Sequence, residues 1–166
     1  MILDALLQFS NAQNLAQVAG TYASTNILDL HMAGIPVLAN LQGARDIGIG
    51  DDPALILVVQ SIAAFTAAGA ATMTIALQYS ADNVTYYVAA EVPVIPKASM
   101  GANTKLVQMP LPHRPPQMAA FNLLPRYMKL TYTVATGPMT AGSIYAGILL
   151  DAQANIAYAP GIAIAN

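Results

Sequence analysis

The stretch Ala70–Ala90, AATMTIALQYSADNVTYYVAA, decides the fold. Its first arm sets Met73, Ile75, Leu77 and Tyr79 on one face and Thr72, Thr74, Ala76 and Gln78 on the other. Its second arm alternates Val84, Tyr86 and Val88 with Thr85, Tyr87 and Ala89. Side chains of a strand point to opposite faces in turn, so this spacing gives each arm one apolar and one mixed face. Between the arms, Ser80-Ala81-Asp82-Asn83 offers short polar side chains that bond nearby backbone and stabilise a turn. The stretch is a β-hairpin, with Asp82 and Asn83 supplying turn chemistry alone.

Working outward, the same grammar recurs. Tyr127–Ala135, YMKLTYTVA, sends Met128, Leu130, Tyr132 and Val134 inward, and Ser143–Leu150, SIYAGILL, aligns Ile144, Ala146, Ile148 and Leu150. Leu55–Phe65, LILVVQSIAAF, is a β-branched apolar run that suits a strand buried on both faces, with a core helix as the competing reading. Asn26–Leu30 and Thr104–Met109 read as shorter strands, and Pro93 and Pro96 confine Glu91–Met100 to an edge or a crossover. Pro110–Gln117, PLPHRPPQ, reads as an extended, exposed connection, and Leu41–Pro53 as a glycine-rich loop. About seven or eight short strands without a long helix predict an all-β antiparallel sandwich or jelly roll. The expected division is an N-terminal arm over 1–25, the jelly-roll domain over 26–155 and a C-terminal tail over 156–166. For the first of these, a strand or short helix packed back on the domain is the competing reading.

Composition narrows the function. Only 8% of the 166 residues are charged, against roughly 25% in ordinary soluble proteins. So neutral a surface favours life in an assembly. The chain has no cysteine, which removes disulfides, thiolate metal sites and thiol nucleophiles. Arg45, Lys97, Lys105, Arg114, Arg126 and Lys129 are dispersed, so no basic stripe for nucleic acid is expected. Ala54–Ala81 carries no charge, but polar interruptions and the break at Ala67–Ala70 argue against a membrane span. Asp4 stands where a secretory signal would carry a basic residue. His31 and His113 are far apart in sequence, Asp51-Asp52 lacks the alternating ligands of a calcium loop, and no serine sits in a nucleophile elbow. The expectation is a protein that is not an enzyme and takes no metal or cofactor.

Several segments together resemble one family. MILDALLQFSNAQ, ARDIGIGD (Ala44–Asp51), GAATMTIALQYSADNVTY (Gly69–Tyr86), RYMKLTYTV (Arg126–Val134) and TAGSIYAGILLD (Thr140–Asp151) are similar to the jelly-roll capsid cement proteins of tailed bacteriophages, first described in a Bordetella phage. The resemblance implies a decoration protein on the outer surface of the virion, assembled in the host cytoplasm. It would bridge neighbouring major capsid subunits and stabilise the shell against packaged DNA. Its partners would be the major capsid protein and further copies of itself, as a homodimer or homotrimer, with no nucleic acid or membrane involved. Another virion component, such as a head fibre base or tail protein, and a carbohydrate-binding jelly roll are the alternatives. The expected contact residues are Ile2, Leu3, Leu6, Leu7 and Phe9 at one terminus, the outward-reading Tyr87, Tyr127 and Tyr145, and Tyr158, Ile162 and Ile164 in the tail. Residues 1–13 and 156–166 are expected to reach neighbouring subunits as extended contacts.

Overall fold

The computed structural model describes residues 5–30 and 55–150. After a 3-10 turn at Ala5–Leu7, ten strands follow: β1 (Gln8–Asn14), β2 (Gly20–Ala23), β3 (Leu28–Asp29), β4 (Ile56–Thr66), β5 (Thr72–Ser80), β6 (Tyr86–Glu91), β7 (Ile95–Pro96), β8 (Lys105–Pro110), β9 (Tyr127–Ala135) and β10 (Ala141–Leu149). A short helix, α1 (Pro116–Ala120), lies between β8 and β9. One sheet runs β1-β10-β4-β8 and the other β2-β9-β5-β6, with β3 added to β9 and β7 to β5. Every pairing is antiparallel. If the two-residue β3 and β7 are set aside, the eight main strands in chain order give sheets 1-8-3-6 and 2-7-4-5, the strand order of a jelly roll.

The core follows the alternation. Met73, Ile75, Leu77 and Tyr79 of β5 face Met128, Leu130, Tyr132 and Val134 of β9 within one sheet. Phe9, Leu57, Val59, Ile144, Ala146 and Ile148 press in from the other. Each such side chain contributes about 1.5–3 kcal/mol on burial. The two core tyrosines are satisfied: Tyr79 Oη donates to Pro112 O at 2.6 Å, and Tyr132 Oη and Ser10 Oγ share a bond at 2.8 Å. Burial pushes both phenols well above the ordinary tyrosine pKa, so neither ionises in the folded protein. Val58 lies between Leu57 and Val59, and all three are buried, so β4 is covered on both faces there, as its apolar run predicts.

Four expectations change. Residues 8–23 do not form an arm: β1 and β2 are integral to the two sheets, and Phe9 has no exposed surface. The packed-back reading holds for them. Tyr87 does not point outward. It stands opposite Tyr79, and directly opposed residues share a face, so Tyr87 packs against the core. The cause is a register shift between Leu77 and Gln78 that makes Ala89 an extra residue on β6. Upstream of it Val88 opposes Gln78 on the outer face, beside Tyr86 opposite Ser80. Leu150 lies past the end of β10 and is exposed. Finally, the proline-rich connection is only partly extended: Leu111 and Pro115 are buried, and Pro116 and Gln117 open α1.

The charge-free run around residues 55–81 forms β4 and β5. Among the described residues no helix is long and apolar enough to cross a membrane. Ile2, Leu3, His31, Asp51, Asp52, Tyr158, Ile162 and Ile164 lie outside the described residues, as does the 156–166 tail.

Candidate functional site

The strand order gives the sandwich two unlike ends. At the closed end, short connections join β1 to β2, β4 to β5 and β9 to β10. At the open end lie the 81–85 hairpin turn, the Ser24–Ile27 connection and the sixteen residues 111–126. Antiparallel registers place further strand ends there. Gln8 pairs with Gly147, Ile56 with Leu149, and Asp29 with Tyr127, which also opposes Ser80. Backbone bonds tie its parts together: Leu111 N donates to Leu55 O at 2.7 Å, Leu30 N to Arg126 O at 2.8 Å and Arg126 N to Ser80 O at 2.9 Å.

Exposed apolar side chains gather at this end. Leu6 precedes β1, Ile27 precedes β3, Val84 tips the hairpin, Phe121 and Leu124 follow α1, and Leu150 follows β10. Phe121 is 70% exposed and Leu124 61%. No strand alternation requires an apolar residue at either position. A groove of about 550 Å³ runs between Ala5, Leu6 and Gln8 on one side and Thr25–Asp29 on the other.

A polar and aromatic cluster stands beside the groove. Arg126 Nε and Nη2 donate to the two carboxylate oxygens of Asp29, each at 3.0 Å. The Arg126 guanidinium also lies 4.8 Å from the centre of the Tyr127 ring, and Lys129 Nζ lies 3.6 Å from that of Tyr86. Tyr86 Oη donates to Asn83 Oδ1, which ties the ring to the hairpin turn. In that turn Asp82 Oδ1 accepts from Val84 N at 2.9 Å, Thr85 N at 2.8 Å and Ser80 Oγ at 2.9 Å. The Thr85 and Val84 amides and the Ser80 hydroxyl hold the Asp82 carboxyl below its ordinary pKa. Asn83 takes the left-handed conformation, φ 61°, that asparagine tolerates in turns.

The expected contact residues separate accordingly. Leu6 and Leu7 are surface residues of the first turn, and Leu6 lines the groove. Tyr127 is half-buried in the open-end cluster. Tyr145 is half-buried on the outer face of the other sheet, folded over Gly147, and burial raises its phenol pKa. Phe9 belongs to the core, and Tyr87 is half-buried with its ring packed against it. Missed from the sequence are Ile27, Val84, Phe121, Leu124 and the Asp29–Arg126 pair. The available signal was FNLLP (Phe121–Pro125), an apolar run in a proline-bounded connection where no core strand needs one.

Chemically this end offers apolar contact area, aromatic faces and a fixed arginine, the composition of a protein-binding surface. Among the described residues no three His, Asp or Glu side chains come together. A family model, Bbp16, matches residues 9–148, from β1 into β10. No curated protein matches the chain.

Proposed function

The chain belongs to the Bbp16 family, a family of phage proteins, and from that premise we propose that it is a capsid cement protein. It decorates the outer surface of the virion head, bridges neighbouring major capsid subunits and stabilises the shell against internal DNA pressure. Its role is structural and not enzymatic, and its partners are the major capsid protein and further copies of itself.

The observation that carries this reading is the larger number of exposed apolar side chains at one end of the sandwich. Leu6, Ile27, Phe121, Leu124 and Leu150 are exposed there. A jelly roll held upright on a shell has its rigid sheets normal to the surface and its loops against it. Many modest contacts repeated over a symmetric lattice then give strong overall attachment, because each bound subunit raises the effective concentration of the next contact.

The test is co-sedimentation of purified protein with empty heads that lack it, followed by heat challenge of the decorated shells. Saturable binding in fixed proportion to the major capsid protein, with a raised shell disruption temperature, is expected. Absence of binding to both unexpanded and expanded shells would overturn the reading.

A further inference from the structure

The jelly roll leaves four strand edges, and three of them are blunted. β1 is covered by the segment after β2: Asn26 N donates to Phe9 O at 2.8 Å, and Gln13 Nε2 to Ala23 O at 2.9 Å. β8 carries Lys105 and ends at Pro110, with Pro112 beyond. β2 and β3 are four and two residues long. These are the usual devices against edge-to-edge pairing. β6 differs. It is the outermost strand of its sheet, and YYVAAE contains no proline, lysine or arginine. Among the described residues nothing bonds to its outer edge. Alternate backbone groups of its six residues therefore offer a row of donors and acceptors about 20 Å long. Only another extended backbone repeats its own donors and acceptors at that spacing, so the geometry selects an added strand.

Side chains along the edge define what that strand carries. Exposed valines follow it from the open end to the closed end: Val84 before β6, Val88 within it and Val94 after it. Glu91 ends β6, is exposed, and makes no ion pair among the described residues. At the other end of β6, Lys129 lies over the Tyr86 ring with no carboxylate beside it among the described residues. A complementary segment is therefore apolar along its length, basic at one end and acidic at the other. A second copy of this chain does not suit the edge. Two β6 edges paired antiparallel would point their open ends in opposite directions, and one shell could not meet both.

We propose that the outer edge of β6 takes up an extended segment of a major capsid subunit as an added strand. The segment carries β-branched or other apolar side chains against the valines, a basic side chain beside Glu91 and an acidic one beside Lys129. This deepens the shell-binding part of the reading above and rests on it. The open end sits on the shell, and the flank of the sandwich holds one of the shell's strands.

The experiment compares the full chain free and bound to empty heads that lack it, with circular dichroism to verify that variants fold. Hydrogen exchange of residues 86–91 in the unaltered protein is expected to slow about tenfold or more on binding. The chain has no cysteine, so Val88→Cys takes a single photo-cross-linker on its thiol, with Gln108→Cys on β8 as the control. The Val88→Cys variant is expected to join one continuous segment of the major capsid subunit, and the control is not. Val88→Lys, which adds the edge charge that blunted strands carry, is expected to weaken shell binding about tenfold. Glu91→Lys is expected to weaken it about two- to fivefold. Shell binding with residues 86–91 exchanging as fast as in the free chain would overturn the proposal and leave the cement role standing. A cross-link from Val88→Cys to other copies of this chain alone, or full binding by Val88→Lys, would do the same. Absence of any shell binding by the unaltered protein would overturn both.

Discussion

At the closed end of the sandwich, Thr66 and Thr140 share a hydroxyl hydrogen bond at 2.8 Å, and Lys97 Nζ donates to Ala67 O at 2.6 Å. Nearby, Phe65 N donates to Met100 O and Ser61 Oγ donates to Gly101 O. Polar groups are paired, and Phe65, Met100 and Met139 are all buried there, with Val18 and Val94 exposed. The open end holds its backbone as firmly, through Asp82, Arg126 and Leu111, yet leaves Val84, Phe121, Leu124 and Leu150 in solvent. The difference is therefore not one of order. The open end exposes more of its large apolar residues than the closed end does. A low-charge protein that hid all its apolar side chains would have little left with which to bind; this one leaves more of them exposed at one end than at the other.

Perturbations should separate those two uses. The largest stability effect is expected at Phe9, which belongs to β1 and to the core. Phe9→Ala should cost about 3–5 kcal/mol in denaturant unfolding, whereas a residue of a detachable arm would cost almost nothing. At the closed end, Gly142 holds φ 134°, and a Cβ there would fall on the Phe65 ring. Gly142→Ala should lose about 3 kcal/mol through combined strain and overpacking; an unchanged melting temperature would show that the closed end is looser than its contacts imply.

A smaller effect is expected at the open-end turn. Asp82→Ala removes the acceptor for two backbone amides and should lower the melting temperature by less than either Phe9→Ala or Gly142→Ala. The sign of its pH dependence follows from its lowered pKa. Asp82 binds its proton less readily folded than unfolded, so its contribution is full above the unfolded value and fades as pH falls through the folded one. Thermal melts should show the gap between wild type and Asp82→Ala narrowing below pH ~4. A gap that widened there would contradict the assignment.

The hairpin and its neighbours were legible because alternation is a local signal. Met73 to Tyr79 and Met128 to Val134 are buried where spacing alone puts them. What spacing cannot carry is register. The extra residue at Ala89 flips the relation between the halves of β6, and no composition marks it, so Tyr87 was read onto the wrong face. Likewise β1 is bulged twice against β10, and Ala12 takes a positive φ, which erased the alternation that would have claimed Phe9 for the core. The open-end surface was illegible for a different reason. Ile27, Phe121 and Leu124 come together only because β3, β9 and α1 end at one place, and Asp29 finds Arg126 across nearly a hundred residues of sequence.

The smallest expected effect on stability coincides with the largest expected effect on binding, and this pairing tests the account most directly. Phe121→Asp with Leu124→Asp at the open end is compared with Val18→Asp at the closed end, where Val18 is 66% exposed and so closely matched. All three substitutions alter surface residues and should change unfolding free energy by no more than about 0.5 kcal/mol each. In co-sedimentation with empty shells, the open-end double variant should lose binding while Val18→Asp binds as the unaltered protein does. Equal binding by both, or loss confined to Val18→Asp, would contradict the claim that the open end meets the shell.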